Sequence, residues 1–385
     1  MKTNYFLLLA TVILTACSGE RQTEHLMTVD LGKDYPEKEL TLQDFMEVEY
    51  IPLETTEEFV TYANLKAVGE KLFVLSSDGK LVLFNRYTGK GIRVIEHQGQ
   101  GAEEYTFPSY IVLDEKNGEL FVNDTGIRKI LVYDLEGNFQ RSFSHPGEYH
   151  ITSLQAFDGD YLLGHDEHMF YKDLNNLQAI DLEQASFFLI SKQDGSIVKE
   201  IKMPMGKVNV PMVNVGGIVS VTVIPTVMPL QDDMLIIENS ADTIYRFTAK
   251  GHQLEPFMAK KASTDPERLV TIGTVTPQYC FFQIIDKTLD TKTGRGFPHL
   301  DLVYDRQTNK VFKVTVLNAD FTTRETVNMI RNAQNGSIAC IQTLQAHKLI
   351  EANEKNELTG KLKEIASKLD EDSNPVLMIM KEKGI

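Results

Sequence analysis

The residues of this chain that could do chemistry are few and scattered. His165-Asp166-Glu167-His168 places two imidazoles and two carboxylates in four consecutive positions, donor types that bind zinc. The stretch lies in a polar insertion without helical periodicity, so it lacks the helix that puts both histidines of a zinc protease on one face. His165 and His168 are the candidate metal ligands, a solvated loop is the competing reading, and no metal or other cofactor is expected. Gly99-Gln100-Gly101 is followed by Glu103 and Glu104 rather than by a helix pattern. Carboxylates there repel phosphate, so these glycines read as a turn between strands and not as a dinucleotide cradle. No Gly-x-Ser-x-Gly elbow and no phosphate loop occurs.

The acidic residues at strand corners, Asp124, Asp134, Asp242 and Asp305, read as turn caps, because a short carboxylate accepts hydrogen bonds from the backbone just ahead of it. Cys280 and Cys340 sit in apolar runs, Tyr279-Cys280-Phe281 and Ala339-Cys340-Ile341. Two buried thiols are expected, with a disulfide as the alternative if the protein is exported. The chain has no tryptophan. Tyr105, Tyr110, Tyr149 and Tyr279 are therefore its candidates for stacking against a ligand. A formal charge of -15 argues against nucleic acid as a partner, since that binding needs a basic surface.

These residues need a scaffold, and the chain begins with an address for it. Lys2 precedes an apolar stretch over residues 5–14, too short to cross a hydrocarbon core of about 30 Å. Leu14-Thr15-Ala16-Cys17 then resembles the lipobox of bacterial lipoproteins. The resemblance implies cleavage between Ala16 and Cys17, acylation of Cys17, and a chain anchored to a membrane rather than spanning it. An ordinary secretory signal is the alternative. Ser18 in place of an aspartate points, by analogy with sorting signals, to the outer membrane, on its periplasmic or its outer side. Residues 1–16 are thus expected to be a signal peptide and 17–40, polar and without a period, a flexible tether.

From residue 41 the pattern is that of an all-β protein. Between Tyr110 and Phe143 lie four short strands separated by Lys116-Asn117-Gly118, Asn123-Asp124-Thr125-Gly126 and Glu136-Gly137-Asn138. Such a unit is one propeller blade. It recurs from Lys71 to Lys90, more loosely from Asp160 to Ser196, again from Asp233 to Gly251, and from Tyr279 to Lys310. Turns aligned at Gly89, Gly137, Gly195, Gly251 and Asn309 give a period of roughly 50 to 60 residues, somewhat above the blade length of common propellers. Each such turn needs a residue that tolerates positive φ. Residues 345–353 and 358–369 carry helical periodicity, and Pro375-Val376-Leu377-Met378-Ile379-Met380 reads as a last strand. The expectation is a six-bladed propeller over 41–385, with a helical insertion at about 345–370 inside its sixth blade and a closing strand at 375–381. The strand near Tyr50 would pair with that blade and leave no open edge.

Leu120-Phe121-Val122-Asn123-Asp124-Thr125-Gly126, followed by Arg128 to Asp134 and Gly137-Asn138-Phe139, resembles the NHL repeat. With Ile51-Pro52-Leu53-Glu54-Thr55-Thr56, Gly99-Gln100-Gly101, Glu104-Tyr105 and Asn374-Pro375-Val376-Leu377-Met378, the chain is similar to six-bladed NHL- or TolB-like propeller lipoproteins of Bacteroides-type bacteria, a family of uncharacterised function. Ala102-Glu103 departs from the Pro-Gly expected after Gly101. The resemblance implies a cell-envelope protein. A non-catalytic module binding a protein or a small ligand on one face of the ring is expected, held to the membrane by its lipid. The alternative is a metal-dependent hydrolase or lyase with its site in the central channel. A third is a structural subunit of an outer-membrane complex.

Overall fold

The computed structural model describes residues 26–167, 180–263, 266–330 and 338–383. Ala16, Cys17 and His168 lie outside the described residues. The chain opens with β1 (Met27–Asp30), β2 (Glu37–Thr41), the single turn α1 (Leu42–Phe45) and β3 (Met46–Pro52). Blade one is β4 (Asn64–Val68), β5 (Leu72–Ser77), β6 (Lys80–Asn85) and β7 (Gly91–Ile95). Blade two follows with β8 (Tyr110–Asp114), β9 (Glu119–Asp124), β10 (Lys129–Asp134) and β11 (Phe139–Ser144). Blade three holds β12 (Ser153–Ala156), β13 (Tyr161–His165), β14 (Phe187–Ser191) and β15 (Ile197–Ile201). A separate hairpin, β16 (Met212–Val215) and β17 (Ile218–Val221), precedes blade four, which is β18 (Val227–Leu230), β19 (Asp233–Ile236), β20 (Thr243–Phe247) and β21 (Leu254–Lys261).

Blade five runs β22 (Arg268–Val275), β23 (Tyr279–Asp286), a small hairpin β24 (Leu289–Asp290) and β25 (Arg295–Gly296), then β26 (His299–Asp305) and β27 (Lys310–Leu317). Blade six is β28 (Cys340–Leu344), the helices α2 (Ala346–Glu354) and α3 (Gly360–Ala366), and β29 (Val376–Glu382), with β3 as its third strand. The protein is an all-β, six-bladed propeller with short helices near its C-terminus.

One hydrophobic cluster fills each gap between neighbouring blades. Leu83 and Tyr133 meet between blades one and two, Phe121 and Phe188 between two and three, and Phe187 and Phe247 between three and four. Leu235 meets Phe282 between four and five, Phe281 meets Met378 between five and six, and Leu377 meets Phe84 between six and one. Strand alternation produces this directly, because odd and even residues of each blade face opposite neighbours. The third and fourth strands of blades one to four share a register shift, at Leu83/Phe84, Val132/Tyr133, Leu189/Ile190 and Ile244/Tyr245. The turns joining third to fourth strands in blades one to five use positive φ at Gly89, Gly137, Gly195, Gly251 and Asn309, the five positions the repeat alignment selects. At Gly89 a Cβ would also lie 2.0 Å from the Pro52 carbonyl oxygen.

The segment expected to be a tether is in part a belt. From Met27 onward it lies parallel to β21 as a fifth strand of blade four, then parallel to β27 as a fifth strand of blade five. Blade edges explain the difference. An outermost strand leaves a row of unpaired N–H and C=O groups, and β1 and β2 cover two of them while Val29 and Leu31 pack into the core below.

Ring closure uses the two stretches that carry the resemblance at the chain's ends. β29 pairs with β3 from Val376↔Pro52 to Glu382↔Met46, and Lys381 holds Glu49 at 2.7 Å. Just ahead of β29, buried Asn374 donates to the Glu54 and Phe59 carbonyls at 2.7 and 2.6 Å and accepts from the Thr61 N–H at 2.9 Å. Its own N–H donates to the Thr55 hydroxyl. Replacing it leaves several buried backbone groups without partners. Asn374→Ala is expected to lower stability by about 2–4 kcal/mol, read as a lower urea midpoint at unchanged slope; an unchanged midpoint would contradict this role.

Candidate functional site

Antiparallel order sorts the loops onto two rims. Within a blade the first-to-second and third-to-fourth turns fall on one rim, here the lower. The second-to-third turns and the blade-to-blade connections fall on the other, the upper rim. Asn123-Asp124 and His165 end second strands, Tyr110 and Ser153 begin first strands, and His145 and His150 lie in a connection. The polar residues of blades two to four therefore converge on the upper rim.

Asp124 is fully buried and serves as an anchor for two loops. Its Oδ2 accepts from the Thr106 hydroxyl at 2.7 Å and the Phe107 N–H at 3.1 Å, and its Oδ1 from the Gly126 and Ile127 N–H groups at 2.9 and 3.3 Å. Burial alone would raise its pKa, but these hydrogen bonds hold it below the ordinary carboxylate value. Asn123 donates to the Ile151 carbonyl at 3.0 Å, and its Oδ1 lies 2.8 Å from His145 Nε2. His145 Nδ1 accepts from the Ile151 N–H at 3.1 Å, so the ring proton sits on Nε2 and points at Asn123. Burial, reinforced by His150 and Arg128, pushes the His145 pKa down to about 4. His150 reaches the Thr125 carbonyl at 2.8 Å and gives its backbone N–H to Asp166.

His165 does not lie in a solvated loop. It closes β13, is 1% exposed, and stacks on Phe187 with ring centroids 3.9 Å apart. Its Nδ1 lies 3.0 Å from the Thr226 hydroxyl and 3.5 Å from Glu167, and its Nε2 is buried without a protein partner. Phe187 and the approach of blade four take up the ring as an interface residue. Among the described residues no three His, Cys, Asp or Glu side chains come together as a metal site.

The remaining candidates resolve as follows. Asp134 and Asp305 cap their turns, accepting from the N–H groups of Asn138 and of Gln307 and Thr308. Asp242 accepts the Thr243 hydroxyl. Gly99-Gln100-Gly101 is a blade connection, with the Gly101 N–H on Glu104. Cys280 and Cys340 are buried in separate clusters and form no disulfide with each other, and burial pushes Cys280 up to about 12 against a smaller effect of Arg306. Tyr105 and Tyr279 are core residues, Tyr149 packs on Phe188 at 4.2 Å, and Tyr110 stands at the upper end of β8, its pKa raised by burial and then by Glu167.

Exposed apolar residues were not singled out by the sequence patterns. Phe107 (62% exposed) and Ile127 stand on the upper rim, while exposed Val60 and Tyr62 flank Thr61, which Asn374 holds at the start of β29. The β16–β17 hairpin adds Val215, Ile218, Val219 and Val221, with Val223 just beyond. Residues 208–231 contain no charged side chain. That gap in a chain with 24% charged residues is the signal that marks the hairpin in sequence.

The profile of a domain of unknown function, DUF4934, matches residues 26–381. The chain belongs to the DUF4934 family. Among solved structures, a Bacteroides fragilis protein described as exported is similar at 15% identity, covering 94% of this chain and 100% of that one with a TM-score of 0.62. A Bacteroides vulgatus member of the DUF4221 family is 10% identical, covering 88% of this chain and 97% of that one at a TM-score of 0.42. A virginiamycin B lyase from Staphylococcus aureus, 16% identical, covers 58% of this chain and 63% of its own at 0.34, too distant for an argument about activity. No curated protein sequence matches. The comparison with the Bacteroides fragilis protein supports the propeller fold of this DUF4934 chain.

The buried imidazole of the upper rim has a measurable consequence. An unfolded histidine titrates near 6.5, so between about pH 6.5 and 4 the unfolded chain binds the proton that folded His145 refuses. Its stabilising contribution is thus present above about pH 6.5 and is lost as pH falls towards 4, by about 3 kcal/mol. Urea unfolding at pH 7 and pH 4 is expected to show a drop larger by about that amount in the native protein than in His145→Gln. Parallel losses in the two proteins would contradict it.

Proposed function

We propose that this chain is a lipid-anchored propeller of the cell envelope, exported and held through Cys17, that docks a protein or small ligand on its upper rim without catalysis. The observation that carries the reading is the division of labour on that rim. Asp124, Asn123 and His145 are buried and hold loops, as Asp124 holds the N–H of Phe107, while apolar side chains are held out to solvent at Phe107, Ile127 and the β16–β17 hairpin. Apolar side chains exposed along one rim in this way mark an interaction surface.

Three further observations support the placement. The similar Bacteroides fragilis protein is described as exported. No described helix is long and apolar enough to cross a membrane. β1 runs parallel to β21, a fourth strand that rises from the lower rim to the upper. The chain leading back to Cys17 therefore leaves towards the lower rim, and the lipid would draw that rim to the bilayer with the docking rim facing away. Metal-dependent hydrolysis would draw on clustered ligands, and His165 is instead committed to Phe187 and Thr226.

A photoreactive amino acid placed at Ile127 or at Phe107 on the upper rim, or at Tyr87 on the lower rim, tests the face used. In native membranes a discrete adduct is expected from the first two positions and none from Tyr87 (59% exposed). Adducts from Tyr87 alone, or equally from all three, would overturn the reading. Cys17→Ser is expected to move the protein from the membrane to the soluble fraction, and an unchanged distribution would remove the anchor.

A further inference from the structure

The β16–β17 hairpin is the one sheet that belongs to no blade and has no third strand among the described residues, apart from the small β24–β25 turn of blade five. Its register decides which backbone groups are free. Val213 faces Ser220 and Val215 faces Ile218 across the ladder, and the Thr222 N–H donates to the Pro211 carbonyl at 3.0 Å. Hydrogen-bonded and non-bonded pairs alternate in an antiparallel ladder. The pairs Met212↔Val221 and Asn214↔Val219 are then the non-bonded ones, and the N–H and C=O groups of Val219 and Val221 point away from β16, along an outer edge. Their side chains are 48% and 58% exposed, and that of Val223, next along the edge, is 90% exposed. On the other strand Met212 is covered by Val210 and by the neighbouring Ile180 and Met205, so β17 is the open side.

Natural sheets blunt an open edge with lysine, proline, a bulge or a covering loop. Among the described residues this edge has none of them between Ile218 and Val223, and it lies within the charge-free residues 208–231. A two-stranded hairpin is also marginal by itself; a third strand would satisfy the edge and cover the valines at once.

We infer that the outer edge of β17 is a docking edge for an extended, uncharged, β-forming segment of a partner protein, flanked by basic residues, which joins the hairpin as a third strand. The inference rests on the upper-rim reading and names its mode. Main-chain hydrogen bonds supply affinity in such strand addition, and alternate side chains supply selectivity. Charge identifies the occupant. The edge itself is neutral while the protein around it carries -15, so a neutral strand with cationic ends is complementary to both. A second copy brings a second -15 to the contact, and the few valines of one hairpin fall well short of the roughly 1,200 Å² of a stable dimer. A bilayer is disfavoured because the chain towards Cys17 leaves on the opposite rim and the hairpin lacks the basic and aromatic residues of interfacial segments.

The probe is a fluorescein-labelled peptide of alternating threonine and valine with two lysines at each end, titrated against the full chain and followed by anisotropy. Saturable binding is expected, weakened at least tenfold by Val221→Pro, which removes one outward N–H at a position where an edge strand tolerates proline. Val221→Thr, which keeps that N–H, is expected to bind like the native protein, and its unfolding midpoint checks that the hairpin is intact. A peptide N-methylated on alternate residues, so that its bonding edge is blocked, is expected not to bind. Equal binding to Val221→Pro, undiminished binding of the N-methylated peptide, or no binding of the probe would each overturn strand addition. A concentration-dependent dimer in sedimentation that Val221→Pro abolishes would assign the edge to a second copy instead. Adducts at Ile127 and Phe107 alongside a failed peptide titration would sink this inference alone; loss of both would sink the upper-rim reading with it.

Discussion

The structure depends on closing a ring whose first and last strands lie at opposite ends of the chain. Each blade is a small twisted sheet with two apolar faces, and neither face is buried until both neighbours are in place. Five of the six interfaces form between blades consecutive in sequence, but blade six borrows β3 from near the start of the chain. Without the β29–β3 ladder, the cluster of Leu377, Ile379, Phe73 and Phe84 loses one wall. Asn374 makes that seam specific, because its amide reads three backbone groups of the 54–61 segment at once. The belt of β1 and β2 extends the same device outward, covering the edges of blades four and five before the ring is entered.

A closed ring gives the upper rim a fixed frame, and the polar chemistry there serves that frame. Asp124, Asn123 and His145 each tie a loop to a strand end, and each is buried with its hydrogen bonds made. What remains for a partner is apolar and backbone in character: Phe107, Ile127 and an uncharged hairpin with one unpaired edge. The net charge keeps the remaining surface solvated and selects against acidic partners.

Much of this was legible in the sequence. The turn residues Gly89, Gly137, Gly195, Gly251 and Asn309 all take the positive φ that the repeat requires, and the helices fall inside blade six where the break in strand periodicity puts them. Local patterning sufficed there because turns and alternation are short-range properties. The belt was not legible: Met27-Thr28-Val29-Asp30 is too short to declare itself, and its partner β21 lies far away in sequence. His165 reads as loop in a polar context, and only the approach of Thr226 and Phe187 buries it. Tyr105 and Tyr279 look like surface aromatics until the neighbouring blade covers them. Phe107 is the opposite case, exposed because Asp124 pins the backbone on which it stands.

Native-state hydrogen exchange tests the closure most directly. The amides of Leu377, Met378 and Ile379 in β29 and of Ile51 in β3 are expected to open only with the whole ring, at the same free energy as Val122 and Leu131 in the middle of blade two. Exchange from β29 at a markedly lower free energy, while blade two stays protected, would mean that the seam opens by itself and that the ring does not depend on it.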